Sequence, residues 1–168
     1  PGVGRSLTLG SRSRRYGLGM ADLASELEPF ARSLLDPGEE LLGACVASQQ
    51  KRLKGWMVAI AVAEERIVIQ RIKRGREFVA EGEPLSLRRE DIASARAGGA
   101  GTWGAMPTSE IMERSTIDLK LRTTAGEKLR LMMMRGEGKP FGKLGGGEIQ
   151  AAGVQALAAG LAPHVTGV

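Results

Sequence analysis

From Leu23 onward the apolar positions fall first into a helical rhythm and then into a strand rhythm. Leu23, Leu27, Phe30, Ala31, Leu34 and Leu35 recur at the spacing of one helical face, with Asp22 placed to cap the N-terminus. Pro37 disfavours helical geometry at the residue before it and Gly38 permits a turn, so this helix is expected to stop near Asp36. Leu41 to Ala47 then suits a first strand. After a basic turn, Gln49 to Gly55, the run Trp56 to Val62 suits a second. The third, Arg66 to Ile72, puts Ile67, Ile69 and Arg71 on one side and Val68, Gln70 and Ile72 on the other, leaving open which side faces a core.

The glycine and charge cluster Lys73 to Gly82 is expected to break the sheet. Beyond it, Pro84 to Leu87 and Asp91 to Ala95 read as two more short strands joined by a charged turn. Ala97 to Pro107, with four glycines around Trp103, reads as an exposed loop. Ser115 to Leu121 alternates clearly, and Thr124, Ala125 and Gly126 turn it into Lys128 to Met134, the strongest hairpin signal in the chain. Glu148 to Leu161 is expected to be an Ala-rich amphipathic helix with Ile149, Ala152, Val154, Ala156, Leu157, Ala158 and Leu161 on its apolar face. The sum is one helix, about seven short strands and one helix, a mainly β (α+β) chain.

Composition narrows the picture further. A chain of 168 residues with 42% hydrophobic and 26% charged residues is ample for one domain with its own core. With 4% aromatics, that core is expected to be mostly aliphatic. The formal charge of +5 is unevenly placed: residues 1–19 carry Arg5, Arg12, Arg14 and Arg15 and no acid. That leaves 20 basic against 19 acidic residues, about +1, for residues 20–168. The Gly-, Ser- and Arg-rich stretch 1–19 reads as a disordered arm, or as a non-native leader with Met20 as the start. Residues 20–163 read as a single domain and 164–168 as a disordered tail. No apolar run approaches the roughly 18 residues of a membrane span, and no secretory apolar stretch is present in the sequence, so a cytoplasmic location is expected.

Catalytic patterns fail one by one. His164, the single histidine, follows Pro163 near the end of the chain and no nucleophile motif accompanies it. One cysteine, Cys45, and one histidine exclude a structural zinc site within one chain, and Cys45 reads as a small buried hydrophobe. The acid pairs Glu39-Glu40, Glu64-Glu65 and Glu90-Asp91 fall in expected turns, where solvation is their ordinary role. Gly136 to Leu144 imitates a phosphate loop but has Glu137 where glycine is required and Leu144 where a magnesium-binding hydroxyl belongs. Gly145, Gly146 and Gly147 offer backbone N–H groups at the start of the last helix, where Glu148 already complements the dipole. The expectation is no enzyme, no cofactor and no metal.

The candidate binding residues are the basic turn Lys51, Arg52 and Lys54, for an anionic ligand, and Trp56, Trp103 and Met106, for a partner. Three Phe, two Trp and one Tyr are too dispersed for base-stacking platforms, so a nucleic-acid partner is disfavoured.

Several short patterns resemble the bacterial pleckstrin-homology-like domains, relatives in shape of the PH and GRAM modules. These are Leu35-Asp36-Pro37-Gly38-Glu39-Glu40, the stretch Ala61 to Ile72 reading AVAEERIVIQRI with Ala63 at the family's threonine position, Leu85-Ser86-Leu87 before Asp91-Ile92, and the hairpin Thr123 to Leu129. They span about residues 35 to 160. The resemblance implies a bent antiparallel sheet capped by the C-terminal helix, loops at the open end meeting ligands or partners, and a tendency to self-assemble. On this basis the chain is expected to be a non-catalytic binding or assembly module for a protein partner or for itself, with anionic lipid at Lys51, Arg52 and Lys54 as the alternative.

Overall fold

A computed structural model of the protein describes residues 23–51, 54–74, 77–99, 116–136 and 147–165. Its elements are α1 (Leu23–Ser33), β1 (Gly43–Lys51), β2 (Lys54–Val62), β3 (Arg66–Arg74), β4 (Phe78–Arg88), β5 (Ile92–Gly99), β6 (Thr116–Thr123), β7 (Lys128–Met134) and α2 (Gly147–Leu161). The strands form one antiparallel sheet in the order β4-β3-β2-β1-β7-β6-β5. The mainly β architecture between two helices is therefore as the hydrophobic pattern implied.

The connection between the edge strands forces this sheet to bend. In a flat sheet, six inter-strand steps of about 4.8 Å would hold β4 and β5 roughly 29 Å apart. Yet only the 3-10 turn Arg89–Asp91 joins them, and the four Cα steps from Arg88 to Ile92 reach at most about 15 Å. The sheet curls accordingly, and its concave side gathers one apolar cluster from all seven strands, including Cys45, Ile60, Ile69, Leu87, Ala95, Leu121 and Leu131, closed by Leu157 and Leu161 of α2. Arg89 staples the corner, its guanidinium donating to the carbonyls of Glu64 and Gly160.

The convex side of β1 to β4 holds a second cluster, in which Leu27 and Ala31 of α1 cover Ala44, Ala59, Ala61, Val68 and Ile72, and Phe30 meets Phe78 edge to face at 5.7 Å. This explains the ambiguous third strand: from Ile67 to Ile69 both sides of β3 are buried, so both alternating sets are apolar there. Cys45 is fully buried, and burial pushes its thiol up to about 12.

The residues before and within β3 that carry the family resemblance meet in space. Glu39 N–H donates to the Asp36 carbonyl at 3.0 Å, with Pro37 and Gly38 at the two central positions and Gly38 at φ 96°, a type II turn that favours glycine. The Arg66 guanidinium donates to Glu39 Oε1 at 2.8 Å, to Asp36 Oδ2 at 2.7 Å and to Ser86 Oγ at 3.2 Å. The Arg66 guanidinium and the Asp36 N–H hold the Glu39 carboxyl below its ordinary range.

Six expectations need correction. α1 ends at Ser33, three residues before Asp36, because Leu34 and Leu35 donate to the carbonyls of Ala31 and Arg32 in a tightened last turn. The turn expected over Gln49 to Gly55 lies only between Lys51 and Lys54, since Gln49 pairs with Trp56 and Gln50 with Gly55. Lys73 to Gly82 does not break the sheet: β3 runs to Arg74 and β4 starts at Phe78. Gly82, at φ 71°, instead bulges β4, and the buried Gln70 amide donates to the Arg71, Glu81 and Gly82 carbonyls that the bulge frees. Ala97 to Gly99 belong to β5 rather than to a loop. Finally, α2 buries Gln150, Gly153, Leu157, Gly160 and Leu161, whereas Ala152 and Ala158 are exposed. His164 then closes a short 3-10 turn, and Val165 bridges to Ala95, so the ordered chain continues past Pro163.

Candidate functional site

Strands β5 to β7 differ from the rest of the sheet in what their convex side carries. In β6 the odd positions Leu119 and Leu121 enter the core, which turns Asp118, Lys120 and Arg122 outward. The same alternation turns Lys128 and Arg130 of β7 and Ser94 and Arg96 of β5 outward. Register then stacks like charges in two cross-strand rows. Arg96, Lys120 and Arg130 stand opposite one another, ending on Gln50 of β1, and Ser94, Arg122 and Lys128 form the next row.

Together with Lys51, these side chains line a shallow depression of about 390 Å³, with Leu121 and Leu129 also in its wall. No acid lines it. Asp118, the acid in the adjoining row, is 7% exposed and is held by Arg130 through Nε to Oδ1 at 2.9 Å and Nη2 to Oδ2 at 2.8 Å. This pairing raises the Arg130 pKa and fixes the plane of its guanidinium. Directly opposed like charges destabilise a sheet, so Arg96 with Lys120, Lys120 with Arg130, and Arg122 with Lys128 work against the fold that displays them. Chemically, the face is arranged to receive anions.

A second depression, of about 460 Å³, opens on the concave side, where Arg71 and Lys128 are mixed with Glu81, Glu83 and Glu127. Trp56 stands at this end half-buried, its ring 4.3 Å beneath the Arg71 guanidinium. Lys51 and Lys54 are exposed and directly paired at the end of the β1–β2 hairpin. Of the residues singled out from the sequence, only Lys51 reaches the cationic depression; Arg52, Trp103 and Met106 lie outside the described residues. Sequence reasoning missed Arg96, Lys120, Arg122, Lys128 and Arg130. The available signal was cations at alternate positions on both arms of the strongest hairpin, Lys120 and Arg122 before the turn and Lys128 and Arg130 after it.

No family model matches the chain, and no curated protein matches it. Solved structures similar to the chain include the following two. One is the C-terminal domain of an unknown protein from Leishmania infantum, at a TM-score of 0.48 and 11% identity, covering 80% of this chain and 96% of that one. The other is the hSac2 domain of the human phosphoinositide phosphatase Sac2, at 0.49 and 12%, covering 83% and 77%. Likeness at this level assigns no ligand or activity. Among the described residues no group of three or more His, Cys, Asp or Glu is placed to hold a metal ion, and no helix is long and apolar enough to cross a membrane.

Proposed function

We propose that this chain is a non-catalytic binding module that docks on an anionic membrane surface through the convex face of β5 to β7. The observation that carries the reading is the register of the cations, Arg96, Lys120 and Arg130 in one row and Arg122 and Lys128 in the next, around a depression that no acid lines among the described residues. Several cations within one Debye length of an anionic leaflet attract additively, each contributing about 1 kcal/mol. A lipid surface suits the face better than nucleic acid, because none of the described outward positions of β5 to β7 is aromatic and so none offers an aromatic stacking platform. Four strands, three strands and then a helix across their junction also support placing the chain among the PH-like modules its sequence resembles. The ligand face proposed here, however, is not the expected turn Lys51 to Lys54 but the strand face beside it.

The test is co-sedimentation of the whole chain with neutral and anionic vesicles at low and physiological salt, alongside the triple variant Lys120→Gln, Arg122→Gln, Lys128→Gln. Expected is salt-sensitive binding to anionic vesicles only, reduced at least tenfold in the triple variant with its thermal midpoint retained. Anionic binding that the triple variant keeps, or none at all, overturns the proposal.

A further inference from the structure

We propose that the cationic face is a two-phosphate site, matched to a lipid headgroup that carries two phosphates joined by a short bridge, such as cardiolipin, rather than to separate single charges. This rests on the membrane reading above and specifies its ligand. The two rows are a consequence of strand geometry. Within each, cross-strand neighbours have Cβ atoms about 5 Å apart, close enough for one phosphate to accept from both. The first row offers Arg96, Lys120 and Arg130, and the second Arg122 and Lys128 with the Ser94 hydroxyl beside them.

Along the β6–β7 hairpin the rows are two residues apart on the same side, about 7 Å. A glycerol bridge between two phosphates spans a comparable length, so one headgroup can set a phosphate in each row. The spacing is rigid on the protein side. Lys120 faces Arg130 and Arg122 faces Lys128 in continuous pairing closed by the Thr123 to Glu127 turn, and the buried Asp118 carboxylate orients the Arg130 guanidinium. Once one phosphate is seated, the bridge holds the second at high effective concentration. Unlinked headgroups must be recruited one at a time.

The experiment compares vesicles of phosphatidylcholine containing either phosphatidylglycerol or cardiolipin at matched anionic phosphate, titrated with the whole chain and with Lys120→Gln and Lys128→Gln separately. The two lipids share phosphate and glycerol chemistry and differ in whether two phosphates are joined. The expected result is half-saturation at a roughly tenfold lower phosphate concentration on cardiolipin. Each single variant, which empties one row of a lysine and leaves the other intact, should bring that ratio close to one while still binding both vesicles. Equal binding of the unaltered chain to both lipids overturns the two-phosphate site and leaves the anionic-surface reading standing. Binding to neither overturns both. Displacement from cardiolipin by a single-stranded oligonucleotide at lower phosphate concentration than the lipid transfers the face to nucleic acid and overturns the lipid assignment.

Discussion

The two halves of this sheet are built to different rules. The middle of the first half, β2 and the start of β3, is covered on both sides, by the shared core within and by α1 outside, and it reads as near-continuous apolar runs: Val58, Ala59, Ile60, Ala61 and Val62 are all fully buried, whereas the edge strand β4 is largely exposed. In β5 to β7 the convex side is exposed at Arg96, Lys120, Arg122 and Lys128, and β6 alternates apolar Leu119 and Leu121 with Lys120 and Arg122 there, while Thr116 and Asp118 at its other end are buried. An uncovered sheet side ordinarily mixes charges of both signs, which lets cross-strand pairs attract. Here it concentrates one sign, and its single acid among the described residues is turned to orienting an arginine. The difference separates a half built for cohesion from a half that carries a local electrostatic cost.

The halves meet at β1, and the largest expected effect comes from disturbing that junction. Gly153 of α2 lies so close to β1 that an added Cβ would fall 1.9 Å from the Ala44 carbonyl oxygen, with the Ala44 carbon and Cys45 nitrogen also inside contact distance. These are backbone atoms and cannot swing aside. Gly153→Val should therefore lift α2 off the sheet and cost well over 3 kcal/mol, the upper end of ordinary overpacking. Loss of the cooperative thermal transition by circular dichroism is the expected readout; a melting point within a few degrees of the parent refutes the close approach.

A somewhat smaller loss is expected at Gln150. β1 and β7 pair only through Ser48, Gln49 and Gln50 with Met132, Leu131 and Arg130. At Val46 and Met134 the buried Gln150 amide bridges the strands. It accepts from the Val46 N–H at 2.8 Å and donates to the Val46 and Met134 carbonyls at 3.0 and 2.9 Å. Gln150→Leu keeps the volume but leaves those backbone groups without their amide partner, a cost of about 3 kcal/mol. Hydrogen exchange should then quicken at the Val46 amide, while the β2–β3 amides keep their relative protection.

How much of this was legible follows from the range of the signal. The Thr123 to Gly126 turn and the strands around it are local, and so were readable. The meeting of Pro37-Gly38-Glu39 with Arg66 was not legible, because the ion pair behind it joins residues 27 apart. Gln150 and Gly153 were invisible to hydropathy. The buried face of α2 is selected by close approach to β1 and by hydrogen bonding, and a pattern search prefers Ala152 and Ala158, which are exposed. The cationic rows were missed for a related reason: Lys120 and Arg122 look like an ordinary solvated strand face until register sets them opposite Arg130 and Lys128.

The smallest expected effect has the opposite sign and sharpens the comparison most. Lys120 stands between Arg96 and Arg130, so Lys120→Gln removes two directly opposed like-charge contacts while retaining a long side chain on an exposed strand position. Each such contact costs a few tenths of a kcal/mol at low ionic strength, and salt screens it within about 10 Å at 0.1 M. The variant should thus be about 0.5 kcal/mol more stable than the parent in dilute buffer by urea denaturation, and the gap should close as salt is added. A conserving substitution in the two-sided half has no such repulsion to relieve. If Lys120→Gln instead destabilises at every salt concentration, the lysine is a structural member of the sheet, and the contrast between a cohesive half and a receptive half fails where it is most exposed to test.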